Sequence, residues 1–337
     1  MKLIDFSDCK VHPEFCYGGA NGKKIAVEYN NEIYMLKLPP KAKNSSNLEY
    51  SNSNFSEYIT CHIFNLIGLP TQQTLLGKYK YEDKEKMVCA CKDITQGKLN
   101  LIEFSKVKNS VSLDSDSNGE GTELNEVLDA IEEQKLMDPI KLKENFWDMF
   151  IIDAFCGNFD RHNGNWALLR DNFNNITSFS PIYDCGSCLY PQLDDETKEK
   201  IISGNKEELE KRIYIFPNSA LRENNQKINY FNFISSFKNK DCNEALKRIT
   251  PKINLNEINL LIDYTPILND IDKTFYKLIL KERFNRIIEF SYQKLLQQEE
   301  TASQENFNED TEDEEFDDYS EEDNNTPPSN DEDDFER

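Results

Sequence analysis

Short runs of alternating hydrophobic and polar residues fill the first third of the chain, which is the pattern of β-strands with one buried face. Lys24–Tyr29 and Glu32–Pro39 are two such runs, and the Asn30-Asn31 pair between them is typical of a tight hairpin turn. Two more strand-like runs follow before residue 93. The pattern therefore predicts a β-rich N-terminal lobe over residues 1–93.

Apolar residues take helical spacing in much of the remaining chain. Residues 55–67 carry them at intervals of three and four, with Ser56 as the predicted N-cap of a helix. Leu142–Phe155 is heavily apolar, as expected of a helix inside a large lobe. A later helix is predicted to begin at Thr265-Pro266. Together these segments predict an α+β fold with an α-helical C-terminal lobe over residues 94–298.

Two polar stretches interrupt this order. Residues 105–122 are rich in Ser, Asn, Asp and Gly and are predicted to form an exposed insertion. Residues 299–337 hold 19 acidic residues and a single basic one, Arg337, so most of the net charge of −23 belongs there. Such a segment cannot bury enough apolar surface to fold. It is predicted to be a disordered acidic tail that either keeps the protein soluble or contacts a basic partner.

Composition argues against export and membrane insertion. The first residues include acids where a signal peptide needs an apolar core, and no apolar run reaches the length of a membrane span. The nine cysteines are scattered rather than spaced as a disulfide framework, which fits a reducing compartment. Cys185 and Cys188 form a C-x-x-C pair without the second pair of a standard zinc site. We expect a cytoplasmic protein that binds neither membranes nor nucleic acids.

Asn158–Asn165 and, after a short gap, Tyr183–Gly186 carry the residues that phosphoryl transfer needs. A kinase catalytic loop uses an aspartate to orient the attacking hydroxyl, an amide oxygen five residues later to hold magnesium, and a second aspartate to bind metal at the phosphates. Asp160, Asn165 and Asp184 match this order. Taken alone, the first motif also fits a polar loop with an Asx-turn. The two motifs together predict an enzyme that uses ATP and magnesium.

A glycine-rich segment precedes the hairpin and predicts a phosphate-binding loop, because its backbone N–H groups can approach phosphate oxygens. Lys37, at the end of the second hairpin strand, is placed to reach the phosphates, and Glu57 is placed to pair with it. Each also has a plainer explanation, as a surface lysine and as a carboxylate at a helix N-terminus. The backbone near Ala90 and Lys92 is expected to meet adenine. The predicted loop residues are Gly18, Gly19, Ala20, Asn21, Gly22 and Lys23, and Lys24 follows as a second lysine that adds positive charge.

The chain resembles the HipA-like serine/threonine kinases across residues 1–298. The resemblance implies a bilobal protein-kinase-like fold that binds ATP and magnesium and phosphorylates a protein substrate. It also implies autophosphorylation on serine and a kinship with toxins, with pairing to an antitoxin left open. The motifs that carry it are Gly18–Lys23, Tyr34–Pro40, Phe55–Tyr58, Phe146–Phe150, Gly157–Trp166 and Tyr183–Pro191.

The same resemblance implies a role for each candidate residue. Lys37 binds the phosphates and Glu57 orients it. Asp160 is the catalytic carboxylate, and His162 lies near the phosphates, so Asp160, His162 and Lys37 form the expected catalytic set. The expected metal ligands are Asn165 and Asp184.

Two other functions stay open at this point. A phosphoinositide-type lipid kinase shares the D-R-H-x-x-N motif, although the small size and acidic balance of this chain disfavour an anionic membrane surface. A non-catalytic nucleotide-binding scaffold would use its acidic tail to recruit partners. Release to act outside the producing cell, without a classical signal peptide, is also left open. Any autophosphorylation is expected in a Ser-rich loop, at Ser45, Ser46, Ser51, Ser53 or Ser56.

Overall fold

The structure is a computed structural model. It divides the chain into two units, Met1–Gln293 and Lys294–Arg337. The first unit contains every sheet described below and all the candidate site residues that the structure describes. The described residues are 3–18, 23–38, 52–111 and 118–314.

A six-stranded sheet forms the N-terminal part of the first unit and confirms the predicted β-rich lobe. Its strands lie in the spatial order β1-β5-β6-β4-β3-β2, with β1 parallel to β5 and every other neighbouring pair antiparallel. The strands are Ile4–Asp5 (β1), Lys10–Val11 (β2), Lys24–Tyr29 (β3), Glu32–Lys37 (β4), Thr74–Tyr81 (β5) and Lys84–Lys92 (β6).

The hairpin of β3 and β4 sets the geometry of the site. Asn30 and Asn31 form its two-residue turn, with φ angles of 52° and 62°. Asparagine tolerates this left-handed region, and a turn with both residues there matches the twist of the flanking strands. The turn sets a register in which Lys24 lies directly opposite Lys37. The hairpin prediction is thus confirmed, and the register decides which side chains share a face.

The two faces of this sheet have different roles. Because side chains alternate along a strand, Lys24, Met35 and Lys37 point away from the apolar core on the other face. A helix, Ser53–Ile67 (α1), packs against β5 and β6, and Asn54 Nδ2 donates to the Met87 carbonyl at 2.9 Å. The apolar core on the opposite face consists of Phe6, Val27, Tyr34, Leu36, Leu38, Val88 and Ala90.

Helices dominate the chain after β6, as the sequence predicted. They are joined by two small sheets: β7 (Asn100–Glu103), β8 (Ala167–Asp171) and β9 (Ile176–Phe179) form one, and β10 (Arg222–Glu223) and β11 (Gln226–Lys227) form the other. Two π-helical turns, Lys211–Ile215 and Phe284–Glu289, and a 3-10 turn, Thr250–Lys252, complete the region. The helices after α1 are Phe104–Val111 (α2), Leu124–Glu133 (α3), Pro139–Cys156 (α4), Asp195–Ile202 (α5), Lys206–Glu210 (α6), Tyr230–Ile234 (α7), Lys240–Ile249 (α8), Leu255–Tyr264 (α9), Asp270–Arg283 (α10) and Phe290–Glu314 (α11).

Helix α4 is the predicted buried helix, and it leads directly into the candidate catalytic loop. Asp138 caps its first turn by accepting the Ile140 N–H at 3.0 Å, and Pro139 occupies the first helical position. The helix ends at Gly157, whose φ of 70° suits a residue without a Cβ. Leu142, Trp147 and most of the later side chains in the helix are buried. This packing holds the start of the catalytic loop in a defined position.

The predicted start of α1 is wrong. Ser56 does not cap the helix, because α1 begins at Ser53 after the N-cap position Asn52. Ser56 lies one turn inside the helix and is fully buried, so it is closed to phosphorylation in this fold. Of the other serines named as autophosphorylation candidates, Ser53 opens the helix, and Ser45, Ser46 and Ser51 lie outside the described residues.

Two further predictions are corrected in the helical region. Residues 105–122 are not simply an exposed insertion, because α2 covers their first part and buries Val107 and Lys108. The helix predicted at Thr265-Pro266 begins instead at Asp270, where the Asn269 side chain accepts the Asp272 N–H at 2.7 Å. Ile267, with a φ of 66°, breaks the helical path just before it.

The last helix reaches into the acidic C-terminal segment. Helix α11 continues to Glu314, and Glu and Gln are good helix formers. Disorder of residues 315–337 remains a prediction, because they lie outside the described residues. Within the described ranges, none of the helices combines the length and apolar character needed to cross a membrane.

Candidate active site

The catalytic loop, Asn158–Asn165, is anchored by a buried arginine. Arg161 donates from Nε to Asp153 Oδ2 at 2.9 Å and from Nη2 to Asp153 Oδ1 at 3.2 Å, which joins the loop to the end of α4. The same guanidinium donates from Nη1 to the Asn165 carbonyl at 2.7 Å and to the Tyr183 carbonyl. One side chain therefore holds the loop, its supporting helix and the segment before Asp184 together.

The role of Arg161 was not recognised in the sequence. The D-R-H-x-x-N motif pointed to Asp160 and Asn165, whereas the structural partner of Arg161 is Asp153, eight residues earlier. Both members of this pair are buried, at 5% and 1% side-chain exposure. Breaking such a pair typically costs about 3–5 kcal/mol, because the remaining charge is left without a partner. An aspartate within the apolar sequence of α4 was the available signal.

Asp160 lies at the turn of the catalytic loop, where its carboxylate is half-buried. Its backbone N–H donates to Asn158 Oδ1 at 3.0 Å, and its carbonyl accepts the His162 N–H at 2.9 Å. Burial raises the pKa of Asp160 above the usual value; His162 opposes this shift and the Asp184 carboxylate adds to it. A carboxylate with a raised pKa is a better proton acceptor than an ordinary one.

His162 follows Asp160 and lies on the surface of the loop. Its Nδ1 accepts the Gly164 N–H at 3.1 Å, which orients the ring. His162 lies on the same loop as Asp160, and its predicted contact with a phosphate stays a prediction.

Asn165 and Asp184 are the two predicted metal ligands. The amide nitrogen of Asn165 donates to the Asp160 carbonyl at 2.7 Å, so the amide oxygen is its other polar atom. Asp184 has a φ of 55°, a left-handed conformation that costs a residue with a side chain roughly 1–3 kcal/mol. Strain of this kind is concentrated at functional sites, where the surrounding structure holds the residue in place.

Lys37 forms the centre of an ion-pair cluster. Its Nζ lies 2.8 Å from Glu57 Oε2 on α1 and 2.8 Å from Asp184 Oδ1. Burial alone would lower the pKa of Lys37, but the carboxylates of Asp184 and Glu57 outweigh it and the pKa is raised. The pairing of Lys37 with Glu57 matches the sequence prediction, and the plainer reading of Lys37 as a surface lysine is wrong.

The two carboxylates around Lys37 differ in their charge environment. The Lys37 ammonium lowers the pKa of Asp184 to about 2, so this side chain is ionised at any physiological pH. Burial raises the pKa of Glu57, and Lys37 acts in the opposite direction. Of the two carboxylates, Asp184 therefore has the stronger preference for the ionised form, whereas Glu57 is the fully buried partner of Lys37.

The predicted phosphate loop is only partly described. Gly19, Ala20, Asn21 and Gly22 lie outside the described residues, and Gly18 lies at the start of this gap. The placement of Lys23 corrects the sequence prediction. Its Nζ donates to the Tyr81 hydroxyl at 2.5 Å and lies 4.4 Å from the centre of that ring, on the face of the sheet away from Lys37.

Of the two lysines in the predicted loop segment, Lys24 is the one on the side of the candidate site. It is paired with Lys37 across the hairpin and shares its face of the sheet. Its Nζ donates to the Gly18 carbonyl. The signal was present in the sequence, since a hairpin with a turn at Asn30-Asn31 pairs position 24 with position 37.

The predicted adenine contacts at Ala90 and Lys92 are corrected by the sheet. Ala90 lies in β6 between β4 and β5, paired with Leu36 and Leu75, and its side chain faces the apolar core. The Lys92 N–H donates to the Gln73 carbonyl at 2.8 Å, and the Lys92 carbonyl accepts Gln72 Nε2 at 2.8 Å. These backbone groups already have partners within the protein, because β6 is a central strand rather than a free hinge.

All nine cysteines are free thiols. Cys185 and Cys188 are buried, and Cys185 Sγ lies 3.4 Å from Arg161 Nη2. The C-x-x-C pair is therefore part of the packing behind Asp184.

Comparison with known proteins identifies the family to which this chain belongs. The sequence profile of the HipA-like C-terminal domain matches residues 15–254, which include Lys37, Asp160 and Asp184. The chain belongs to the HipA-like family. The curated serine/threonine-protein kinase CtkA of Helicobacter pylori strain J99 is 46% identical to it over 298 residues, which is 88% of this chain and 90% of that protein.

A solved structure extends this HipA-like assignment to the fold. The crystal structure of the Helicobacter pylori proinflammatory kinase CtkA matches with a TM-score of 0.82 at 46% identity, covering 88% of this chain and 98% of that one. The match confirms the predicted fold class, a β-rich N-terminal lobe followed by a helical C-terminal lobe. Together with the family profile, it also confirms the prediction of a HipA-like serine/threonine kinase.

Proposed function

We propose that this protein transfers the γ-phosphate of magnesium-bound ATP to a serine or threonine hydroxyl of a protein substrate. The observation that carries the proposal is the 2.8 Å contact between Lys37 and Asp184, which are 147 residues apart in the sequence. It brings a phosphate-binding lysine to a metal-binding aspartate, as phosphoryl transfer requires. Asp184 is also close enough to Asp160 to influence its pKa, so the third group belongs to the same site.

Asp160 is the proposed acceptor of the substrate proton. The substrate hydroxyl oxygen forms a bond to the γ-phosphorus, the bond from that phosphorus to the ADP oxygen breaks, and the hydroxyl proton passes to the Asp160 carboxylate. The raised pKa of Asp160 favours this step over an ordinary carboxylate. Arg161 contributes indirectly, because it holds the loop that aims Asp160.

Lys37 and Glu57 act on the nucleotide side of the reaction. The Lys37 ammonium neutralises phosphate charge, and Glu57 holds that ammonium at 2.8 Å from the other direction. Glu57 is fully buried, so its carboxylate cannot swing away into water. It is a positioning residue for Lys37.

The donor atoms at the metal position fit magnesium. Asp184 supplies a permanently ionised carboxylate, and Asn165 supplies an amide oxygen, both of which are hard oxygen ligands. A magnesium ion bound there neutralises charge on the phosphates.

A protein substrate is favoured over a lipid because the relative that shares 46% of the sequence is named a serine/threonine-protein kinase. The catalytic groups are all present, which disfavours a non-catalytic scaffold. Autophosphorylation, release from the producing cell and contact of the acidic segment with a basic partner remain predictions.

The test is phosphate transfer from ATP with magnesium to a generic serine/threonine substrate, read by mass spectrometry. Asp160→Ala should lower the rate by about 10²–10⁴-fold, because the proton acceptor is removed. Its affinity for magnesium-bound ATP should stay within about threefold of wild type, since Asp160 meets the hydroxyl rather than the nucleotide.

Asp171→Ala is a matched control, because Asp171 is the last residue of β8, where its carboxylate accepts the Phe173 and Asn174 N–H groups of the turn that follows. It should retain wild-type transfer. Full activity in Asp160→Ala would exclude the mechanism, and absence of transfer by the wild-type protein to every serine or threonine substrate would exclude the function.

A further inference from the structure

Lys24 is a half-buried lysine beside the candidate site, and the proposed function gives it no role. It lies directly opposite Lys37 in the β3–β4 register, on the same face of the sheet. Two like charges at directly opposed positions destabilise an antiparallel pair. Anionic groups near the two ammonium groups offset this repulsion.

The two carboxylates of this cluster already form ion pairs with Lys37. Glu57 and Asp184 both contact the Lys37 ammonium at 2.8 Å. In the described part of the chain, the Lys24 ammonium donates to a neutral group, the Gly18 carbonyl, and forms no ion pair. The cluster thus contains one lysine with two carboxylates and a second lysine whose charge is not balanced by direct contact.

The surroundings of Lys24 show that its charge lies within the same site. Burial lowers the pKa of Lys24, and Lys37 lowers it further, while Asp184 and Glu57 act in the opposite direction. A cavity of about 320 Å³ opens beside it and is lined also by Tyr17 and Ala26, so a ligand can reach the ammonium. An anion bound on this face of the hairpin, where positions 24 and 37 are directly opposed, would lie near both lysines.

We propose that Lys24 is a second phosphate-binding lysine, which contacts the phosphate chain of the nucleotide together with Lys37. The assignment rests on the proposed ATP-dependent function and deepens it. A nucleoside triphosphate supplies an anion that Lys24 can contact directly, and its oxygens replace the Gly18 carbonyl as the acceptor for Lys24. Lysine binds phosphate as a compact point charge, so its position matters more than the direction of its hydrogen bonds.

Lys23 provides a matched control from the adjacent position. It is exposed, and its ammonium contacts the Tyr81 ring and hydroxyl on the opposite face of the sheet. Lys23→Met and Lys24→Met remove the same charge from neighbouring positions at the start of β3. Only the second is expected to affect phosphate binding.

The experiment measures the affinity of each full-length variant for adenosine, for magnesium-bound ADP and for a magnesium-bound non-hydrolysable ATP analogue, by calorimetry. Lys24→Met should weaken binding of the analogue by about tenfold or more, the usual loss for a hydrogen bond to a charged group. Adenosine affinity should stay within about twofold. Lys24→Arg should recover most of the analogue affinity, because the positive charge is restored.

A structural role for Lys24 gives a different result. If Lys24 only fastens Gly18, then Lys24→Met weakens adenosine and the analogue to the same degree, and the assignment is overturned. It is also overturned if Lys24→Met binds the analogue as tightly as wild type. Failure of the wild-type protein itself to bind the analogue would overturn the proposed function, and this assignment with it. The melting temperature of each variant, measured without nucleotide, identifies any loss that comes from unfolding.

Discussion

The catalytic loop and the lysine-bearing face of the sheet form two sides of one site, and they are held by different means. In the loop, the single side chain of Arg161 binds Asp153 and the carbonyls of Asn165 and Tyr183. On the sheet, Lys37 is placed by a strand register that many backbone hydrogen bonds share. The position of the loop therefore depends on one buried residue, whereas the position of Lys37 depends on many backbone hydrogen bonds of the sheet.

The two aspartates of the site show the same contrast in their charge environments. Asp160, in the loop, is surrounded by protein that disfavours its charge, so burial raises its pKa. Asp184, beside the sheet, lies against the Lys37 ammonium, and its pKa falls to about 2. One carboxylate is suited to accept a proton and the other to remain charged beside a metal. Identical side chains thus obtain opposite pKa shifts from their neighbours, as the two proposed roles require.

The largest effect is expected when the loop loses its anchor. Arg161→Met should lower the free energy of unfolding by about 3–5 kcal/mol, because Asp153 would be left buried and unpaired. Urea unfolding followed by fluorescence measures this change. Transfer activity should fall as well, since Asp160 loses its support.

Arg170→Met is the control for this substitution. Arg170 bonds to neutral groups, including Asn172 Oδ1 at 3.1 Å and Asn175 Oδ1 at 2.7 Å, so its removal strands no buried charge. It should change stability by less than about 1 kcal/mol. Equal losses in Arg161→Met and Arg170→Met would contradict the idea that one side chain holds the loop.

A smaller effect is expected on the sheet side. Glu57→Gln removes one partner of Lys37 but leaves Asp184 in place, so kcat/KM for ATP should fall by about tenfold. Stability should change by less than about 1 kcal/mol, because burying the carboxylate is itself unfavourable and its loss offsets that of the ion pair.

Glu32→Gln is the comparison, since Glu32 pairs with Lys92 near the surface. We expect it to alter neither kcat/KM nor stability. A stability loss in Glu57→Gln as large as that of Arg161→Met would show that the sheet side also depends on a single residue.

The smallest effect near neutral pH is expected from the different pKa values of Asp160 and Asp184. As pH falls, kcat at saturating nucleotide should decline with a midpoint above 3.8, the ordinary aspartate value, because the pKa of Asp160 is raised. The stability that the Asp184–Lys37 pair contributes is complete above about pH 4, and it is lost only as pH falls toward 2. Asp160 has the opposite sign, since its ionised form is disfavoured in the folded protein.

Parallel measurements of kcat and of magnesium-nucleotide affinity from pH 8 to pH 4 test this order, after correction for protonation of the nucleotide. The decline in kcat should come at the higher pH. A loss of affinity that precedes the loss of kcat would reverse the roles assigned to the two aspartates.

Much of the catalytic loop was predictable because its chemistry is local. Asp160 and Asn165 are joined by a hydrogen bond across five residues, and the turn at Asn30-Asn31 specified a hairpin by its own conformation. The start of α1 was harder to predict, because Ser56 and Asn52 are both acceptable N-cap residues. Only the burial of Ser56 inside the protein shows that the helix begins earlier.

The sequence alone determined the family, the order of a β-rich lobe and a helical lobe, and the spacing of Asp160, Asn165 and Asp184, because each of these depends on patterns that can be read along the chain. The tertiary structure decided what burial and register control. It paired Arg161 with Asp153, placed Lys24 rather than Lys23 on the face of the sheet that carries Lys37, and turned the Ala90 side chain toward the core. A shift of one residue along a strand moves a side chain to the other face, and composition does not show which face a ligand will meet.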